Sequence, residues 1–198
     1  KAGKAYITVD FHQVGNFEPW VYKTEDFGKT WVKISDGVPK SNLSYACNIR
    51  EDPKRAGLLY LGTENALYAS FDDGLHWQSI MTDIPSSPMY WIQIQENFND
   101  MVIGTYGRGI WILDNLSALR EMARPNARPL EQPFKLFAAQ PGILAEFRSF
   151  DGPRFAVDAT YEGDNKGTAV QIPVWVKPGL KAKGKEKEVK GKELKAKT

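Results

Sequence analysis

The octapeptide SFDDGLHW, Ser70 to Trp77, repeats the pattern of TEDFGKTW, Thr24 to Trp31: Ser or Thr, any residue, Asp, any residue, Gly, two residues, Trp. The paired aspartates, Asp26 and Asp72, stand 46 residues apart. A second register aligns LLYLGTENALYASFDDG with DMVIGTYGRGIWILDN, setting Gly62 on Gly104 and Asp72 on Asp114 at a step of 42 residues. A period of this length, filled with short β-branched and aromatic runs between turn residues, predicts one four-stranded blade of a β-propeller per repeat. Few other features of the chain restrict its fold so tightly.

The strands follow from the runs. The middle unit predicts strands at Tyr45–Arg50, Leu58–Thr63, Ala66–Phe71 and Trp77–Met81, with EDPKRAG, EN and the acidic octapeptide as connections. The next unit offers Tyr90–Gln95, Met101–Thr105 and Gly109–Leu113, and an earlier one Ala5–Asp10, Trp20–Thr24 and Trp31–Ser35. LSALREMAR is the one short stretch with helical spacing.

Each fixed letter of the octapeptide has a structural task. An Asp carboxylate can accept several turn N–H groups, charge-assisted bonds of about 1.5 to 3 kcal/mol each. Gly28 and Gly74 supply a positive φ, Thr24 and Ser70 a local acceptor, and Trp31 and Trp77 an apolar cover. The alternative is carboxylate chemistry at Asp26, Asp72 or Asp73. A catalytic pair has no need to recur once per repeat, so the staple is the expected role, with Asp114 as its degenerate third copy.

At these residues the chain resembles the Asp-box (BNR) repeat proteins, the propellers of sialidases, xyloglucanase-like glycoside hydrolases and sortilin-type receptors. The likeness is carried by IREDPKRAGLLYLGTENALYASFDDGLHWQSI and VIGTYGRGIWILDNLSALRE. It is most similar to large secreted or periplasmic bacterial proteins labelled glycosyl hydrolase with BNR repeats, or sortilin-like. The resemblance implies an extracytoplasmic location, propeller blades followed by a β-sandwich, and a carbohydrate or peptide as possible ligand. The arginine triad and the Tyr and Glu pair of sialidases map onto no positions here, and at most one of the two aspartates of xyloglucanase-like enzymes could lie in this chain. Two functional readings follow: a non-catalytic binding or assembly segment, and a fragment of a glycoside hydrolase whose catalytic carboxylates lie mostly elsewhere.

Antiparallel parity puts the acidic turns on one rim and the alternate loops on the other. By resemblance, ligands meet that second rim. It receives His12, Glu18, Glu64, Asn65, Tyr106 and Arg108, with Trp91 beside IPSSPMYW. Gly107 and Gly109 flank Arg108 and let its guanidinium project toward an acidic or sugar ligand; pairing with a neighbouring blade's carboxylate is the plainer alternative. His12 with Asp10 and Glu18 invites an acid/base or metal reading, against that of a hydrogen-bonded loop histidine. Trp20, Trp31, Trp77, Trp91 and Trp111 fall on strand positions, where core packing is expected and Trp91 is the best candidate for a sugar platform.

No zinc spacing, EF-hand register, nucleophile elbow or phosphate loop is present, so neither metal nor cofactor is implied. Cys47 is the only cysteine and sits in the apolar run YACNI, as a buried inert thiol would. The net charge of +2 belongs to the last twenty residues, with eight Lys against three Glu, which leaves residues 1–178 slightly acidic and unsuited to nucleic acid. No apolar run reaches the length of a membrane span, and no signal peptide lies in this stretch.

The expected organisation is all-β: propeller blades over residues 1–118, a Pro- and Arg-rich linker over 119–133, a partial immunoglobulin-like sandwich over 134–178, and a Lys-rich low-complexity tail over 179–198. Propellers close with about four to eight blades, and roughly two and three-quarters are legible here. The missing ones are expected from other chains or from the remainder of the same polypeptide.

Overall fold

The computed structural model describes residues 2–125, 129–142 and 169–179. They form antiparallel sheets and one short helix. The first sheet is β1 (Ala5–Phe11), β2 (Asn16–Thr24) and β3 (Val32–Lys33). The second is β4 (Ala46–Asp52), β5 (Arg55–Thr63), β6 (Leu67–Ser70) and β7 (Gln78–Ser79), paired in chain order. The third is β8 (Met89–Gln95), β9 (Asp100–Thr105) and β10 (Ile110–Leu113). Beyond them lie α1 (Ser117–Met122) and a pair formed by β11 (Phe134–Leu136) and β12 (Val174–Val176).

Stacking explains the sequence patterns. The run Leu58–Leu61 is apolar at every position because the second sheet is covered on both faces. Leu58 and Tyr60 face the third sheet, packing with Leu67, Ala69, Met89, Ile92, Met101 and Ile103. Leu59 and Leu61 face the first, packing with Val21, Ile34, Ala46, Tyr68 and Trp77. Burial of each such side chain contributes about 1.5 to 3 kcal/mol. β8 alternates instead, with Ile92 and Ile94 buried and Trp91 and Gln93 exposed, as a sheet covered on one face requires. Gly62 marks the closest approach: a Cβ there would collide with the backbone carbonyl of Met89.

Several boundaries differ from the sequence expectation, each for a local reason. EDPKRAG is not a seven-residue loop: Asp52 pairs with Arg55 across a two-residue turn, and the Asp52 carboxylate accepts the Lys54 N–H at 2.9 Å. The stretch from Phe11 to Pro19 is not one loop: β1 runs to Phe11, a single 3-10 turn at His12–Val14 is closed by Gly15 at φ 79°, and β2 begins at Asn16. β3 and β7 shrink to two residues each because the acidic turns hold the preceding tryptophans outside the ladder. Leu119 to Met122, expected within a linker, continue α1. Leu119 packs on the core and Arg120 bonds the buried Asp52 carboxylate at 2.9 Å. Of the sandwich strands, FKL and VWV pair with each other; RFAVDATY and the Lys-rich tail beyond Gly179 lie outside the described residues.

Candidate functional site

The two acidic turns are built on the same bonds. In the first, Thr24 Oγ1 donates to Asp26 Oδ1 at 2.8 Å and accepts the Gly28 N–H at 3.0 Å, while Asp26 accepts the Thr30 N–H at 2.9 Å and its hydroxyl at 2.6 Å. In the second, Ser70 Oγ donates to Asp72 Oδ1 at 2.8 Å and accepts the Gly74 N–H at 2.8 Å, and Asp72 accepts the His76 N–H at 2.9 Å. Both turns pass through two successive left-handed residues, Phe27 and Gly28, then Asp73 and Gly74. Bonds from Thr30 hold the Asp26 carboxyl down at about 2. Burial works against ionisation of Asp72, but the bonds from His76 and Ser70 outweigh it and keep its carboxyl below the ordinary value. At Asp114 the chain departs from the pattern: Asn115, at φ 61°, donates its N–H to Asp100 and accepts from Ser117, and α1 begins where a fourth strand would.

Asp73 faces the other way, into the joint between the first and second sheets. It accepts from Lys4 at 2.6 Å, from Lys23 at 3.1 Å and from the Tyr6 hydroxyl; Lys4 and Tyr6 also reach Glu51, which accepts the Gly57 N–H. Burial opposes the charge on Asp73, yet Lys4, Tyr6 and Lys23 keep its carboxyl below the usual range. Burial and then Asp73 push the Tyr6 phenol far up. Lys4, Tyr6 and Lys23 are not visible as partners in the sequence, because each lies 45 or more residues from the carboxylate it meets.

On the opposite rim, side chains from all three sheets form a band. His12 Nδ1 donates to the Asp10 carboxylate at 2.7 Å, and the ring stacks on Tyr45 with centroids 4.6 Å apart. Tyr45 in turn bonds Glu64, and burial, reinforced by that bond, pushes its phenol well above the ordinary value. Tyr90 donates to Glu64 at 3.4 Å, and Tyr106 meets Tyr90 edge-on at 6.1 Å. Beneath the band, Cys47 is half-buried rather than buried as expected, and burial pushes its thiol up to about 12, helped by Glu64 and Asp10. Asn65 is consumed by its own turn, accepting from Thr63 at its side chain and from Ser86 at its carbonyl.

Glu18 does not join His12. It pairs with Lys33 at 3.0 Å and Lys40 at 3.3 Å, bonds that hold its carboxyl below the usual range, at the wall of an open cleft of about 500 Å³ that also includes Phe17 and Asn42. Arg108 is exposed and makes no ion pair among the described residues; its carbonyl accepts Trp111 Nε1 at 2.9 Å. The expected core packing of the tryptophans holds for Trp77, which is buried, and in part for Trp111, which packs half-buried on the core, but is corrected for Trp31, which is exposed. Trp77 Nε1 reaches the Ile34 carbonyl at 2.6 Å, whereas Trp31 turns back to Gly28 of its own turn at 3.1 Å. Trp91 is 58% exposed, with Arg50 5.5 Å from its ring.

Among the described residues no three His, Cys, Asp or Glu side chains gather as metal ligands, and no helix is long and apolar enough to cross a membrane. Compared with protein-family models and with curated proteins, the chain returns no match in either.

Proposed function

We propose that the chain is a non-catalytic binding and assembly segment of an extracytoplasmic β-propeller of the Asp-box kind, completed by sheets of another chain or of the rest of its own polypeptide. The observation that carries this reading is the contrast between the second sheet and its neighbours: positions covered on the second are open on the outer faces of the first and third. Three stacked antiparallel sheets repeating at 42 to 46 residues suit a propeller, whose ring needs about four to eight. Ligands, carbohydrate or peptide, meet the band from His12 to Tyr106.

The glycoside hydrolase alternative has less support. Such enzymes need a carboxylic acid held protonated beside a second carboxylate. Every described carboxylate with a displaced titration is displaced downward instead: Glu18, Asp26, Asp72, Asp73 and Glu121. Native mass spectrometry of the protein from its own source tests the proposal. A mass above that of one chain is expected, without hydrolysis of sialosides or β-glucans; a single chain that cleaves either contradicts it.

A further inference from the structure

Where carboxylates sit in the joints and the cleft, the folded chain supplies their cations itself. Asp73 holds Lys4 and Lys23, Asp52 holds Arg120, and Glu18 holds Lys33 and Lys40. The band from Asp10 to Tyr106 is different. Among the described residues the Asp10 carboxylate accepts only from His12, and the Glu64 carboxylate only from the Tyr45 and Tyr90 phenols; neither meets a lysine or an arginine. The two stand on different sheets, Asp10 near the end of β1 and half-buried Glu64 just after β5. Both act on the Cys47 thiol and on the Tyr90 phenol, so they form one negative patch.

The bonding capacity left at this patch is of one kind. Tyr45 and Tyr90 spend their hydroxyl protons on Glu64, and His12 spends its Nδ1 proton on Asp10. The carboxylate lone pairs, the two phenol oxygens and the remaining His12 nitrogen accept bonds. Tyr90 and Tyr106, 46% and 75% exposed, meet almost at a right angle and open a corner of two aromatic walls. Aromatic faces attract cations. Arg108 does not fill the corner with its own charge, since it bonds neither carboxylate. A neutral sugar can donate to these acceptors but leaves both charges without a counterion. A lysine or arginine head group is all donor and brings the missing charge with it.

Resting on the reading of this band as a ligand site, we propose that its ligand is a basic polypeptide segment, with a Lys or Arg side chain seated on Glu64 and Asp10 against the Tyr90 and Tyr106 rings. The row of rings favours an extended chain over a single small amine. Phe17 continues it beyond Tyr45 at 6.3 Å, so it crosses the rims of all three sheets, further than one head group reaches.

Fluorescence anisotropy of labelled tetra-arginine and tetralysine peptides against the full chain at low salt tests this, with each variant checked for folding by circular dichroism. Glu64→Gln keeps an acceptor for Tyr45 and Tyr90 but removes the charge, and is expected to weaken peptide binding about tenfold. Tyr106→Leu, at an exposed ring, is expected to weaken it about threefold. Glu25→Gln makes the same charge change at an exposed position of the first acidic turn and leaves binding unaltered. Peptides that do not bind, or equal losses in Glu64→Gln and Glu25→Gln, overturn the inference. If a neutral β-glucan oligosaccharide binds instead and loses affinity in Tyr106→Leu, only this inference fails; if neither Glu64→Gln nor Tyr106→Leu affects either probe, the reading of the band as a ligand site fails as well.

Discussion

Trp77 Nε1 donates to the backbone carbonyl of Ile34 at 2.6 Å, so the tryptophan of one acidic turn is bonded into the preceding sheet. Trp77→Phe keeps most of the packing but leaves a carbonyl in the joint without its donor, and is expected to cost about 1 to 3 kcal/mol in urea denaturation. Trp77→Ala removes the packing too and is expected to cost about 3 to 5 kcal/mol. Trp31→Phe, at an exposed ring bonded only within its own turn, stays within about 0.5 kcal/mol of wild type.

The same joint responds to pH through His76. Its Nδ1 lies 2.6 Å from Asp72 and its Nε2 3.9 Å from Asp36, and the bond and charge of Asp72 raise its pKa above the ordinary 6.5. A raised folded-state pKa means the contribution is full below about pH 6.5 and disappears as pH rises through the folded value. The melting temperature should therefore fall between about pH 6 and 8 at low salt, and His76→Gln should flatten that slope, less visibly at high salt because the pair is exposed.

Asp26 has the opposite sign. Its carboxyl is depressed from 3.8 to about 2, so its contribution is full above the ordinary value and is lost as pH falls toward the folded one. Acid titration followed by tryptophan fluorescence should show Asp26→Asn losing less stability than wild type between about pH 4 and pH 2, from a lower starting point.

Asp52 and Arg120 tie α1 to the second sheet through a buried pair, with Arg120 Nε 2.9 Å from both carboxylate oxygens and the Asp52 side chain fully buried. Arg120→Met alone leaves that charge uncompensated and is expected to cost about 3 to 5 kcal/mol. The double variant Asp52→Leu with Arg120→Met removes both charges and should recover most of the loss, measured as a double-mutant cycle in guanidinium.

What could be read from the sequence was what depends on neighbours along the chain. Alternation and turn residues placed the ladders of all three sheets, and the unbroken apolar run Leu58–Leu61 follows from cover on two faces. The Ser, Asp and Gly of the turns interact within four residues, so their bonds follow from spacing. The partners of Asp73 and Asp52 could not be read, since Lys4 and Arg120 are 69 and 68 residues away and only sheet stacking brings them in. The exposure of a tryptophan is equally non-local: Trp31 and Trp77 share one motif and differ only in whether a sheet stands in front of them.

Hydroxyl-radical footprinting of the protein from its own source, compared with the isolated chain, reaches the central claim, that the two end faces of the stack are built to be covered. Ile110 and Ile112, exposed in the chain alone, are expected to be protected in the protein from its own source and reactive in the isolated chain, while Trp77 stays protected in both. Equal labelling of Ile110 and Ile112 in the two preparations, with Trp77 protected in both, would contradict the account.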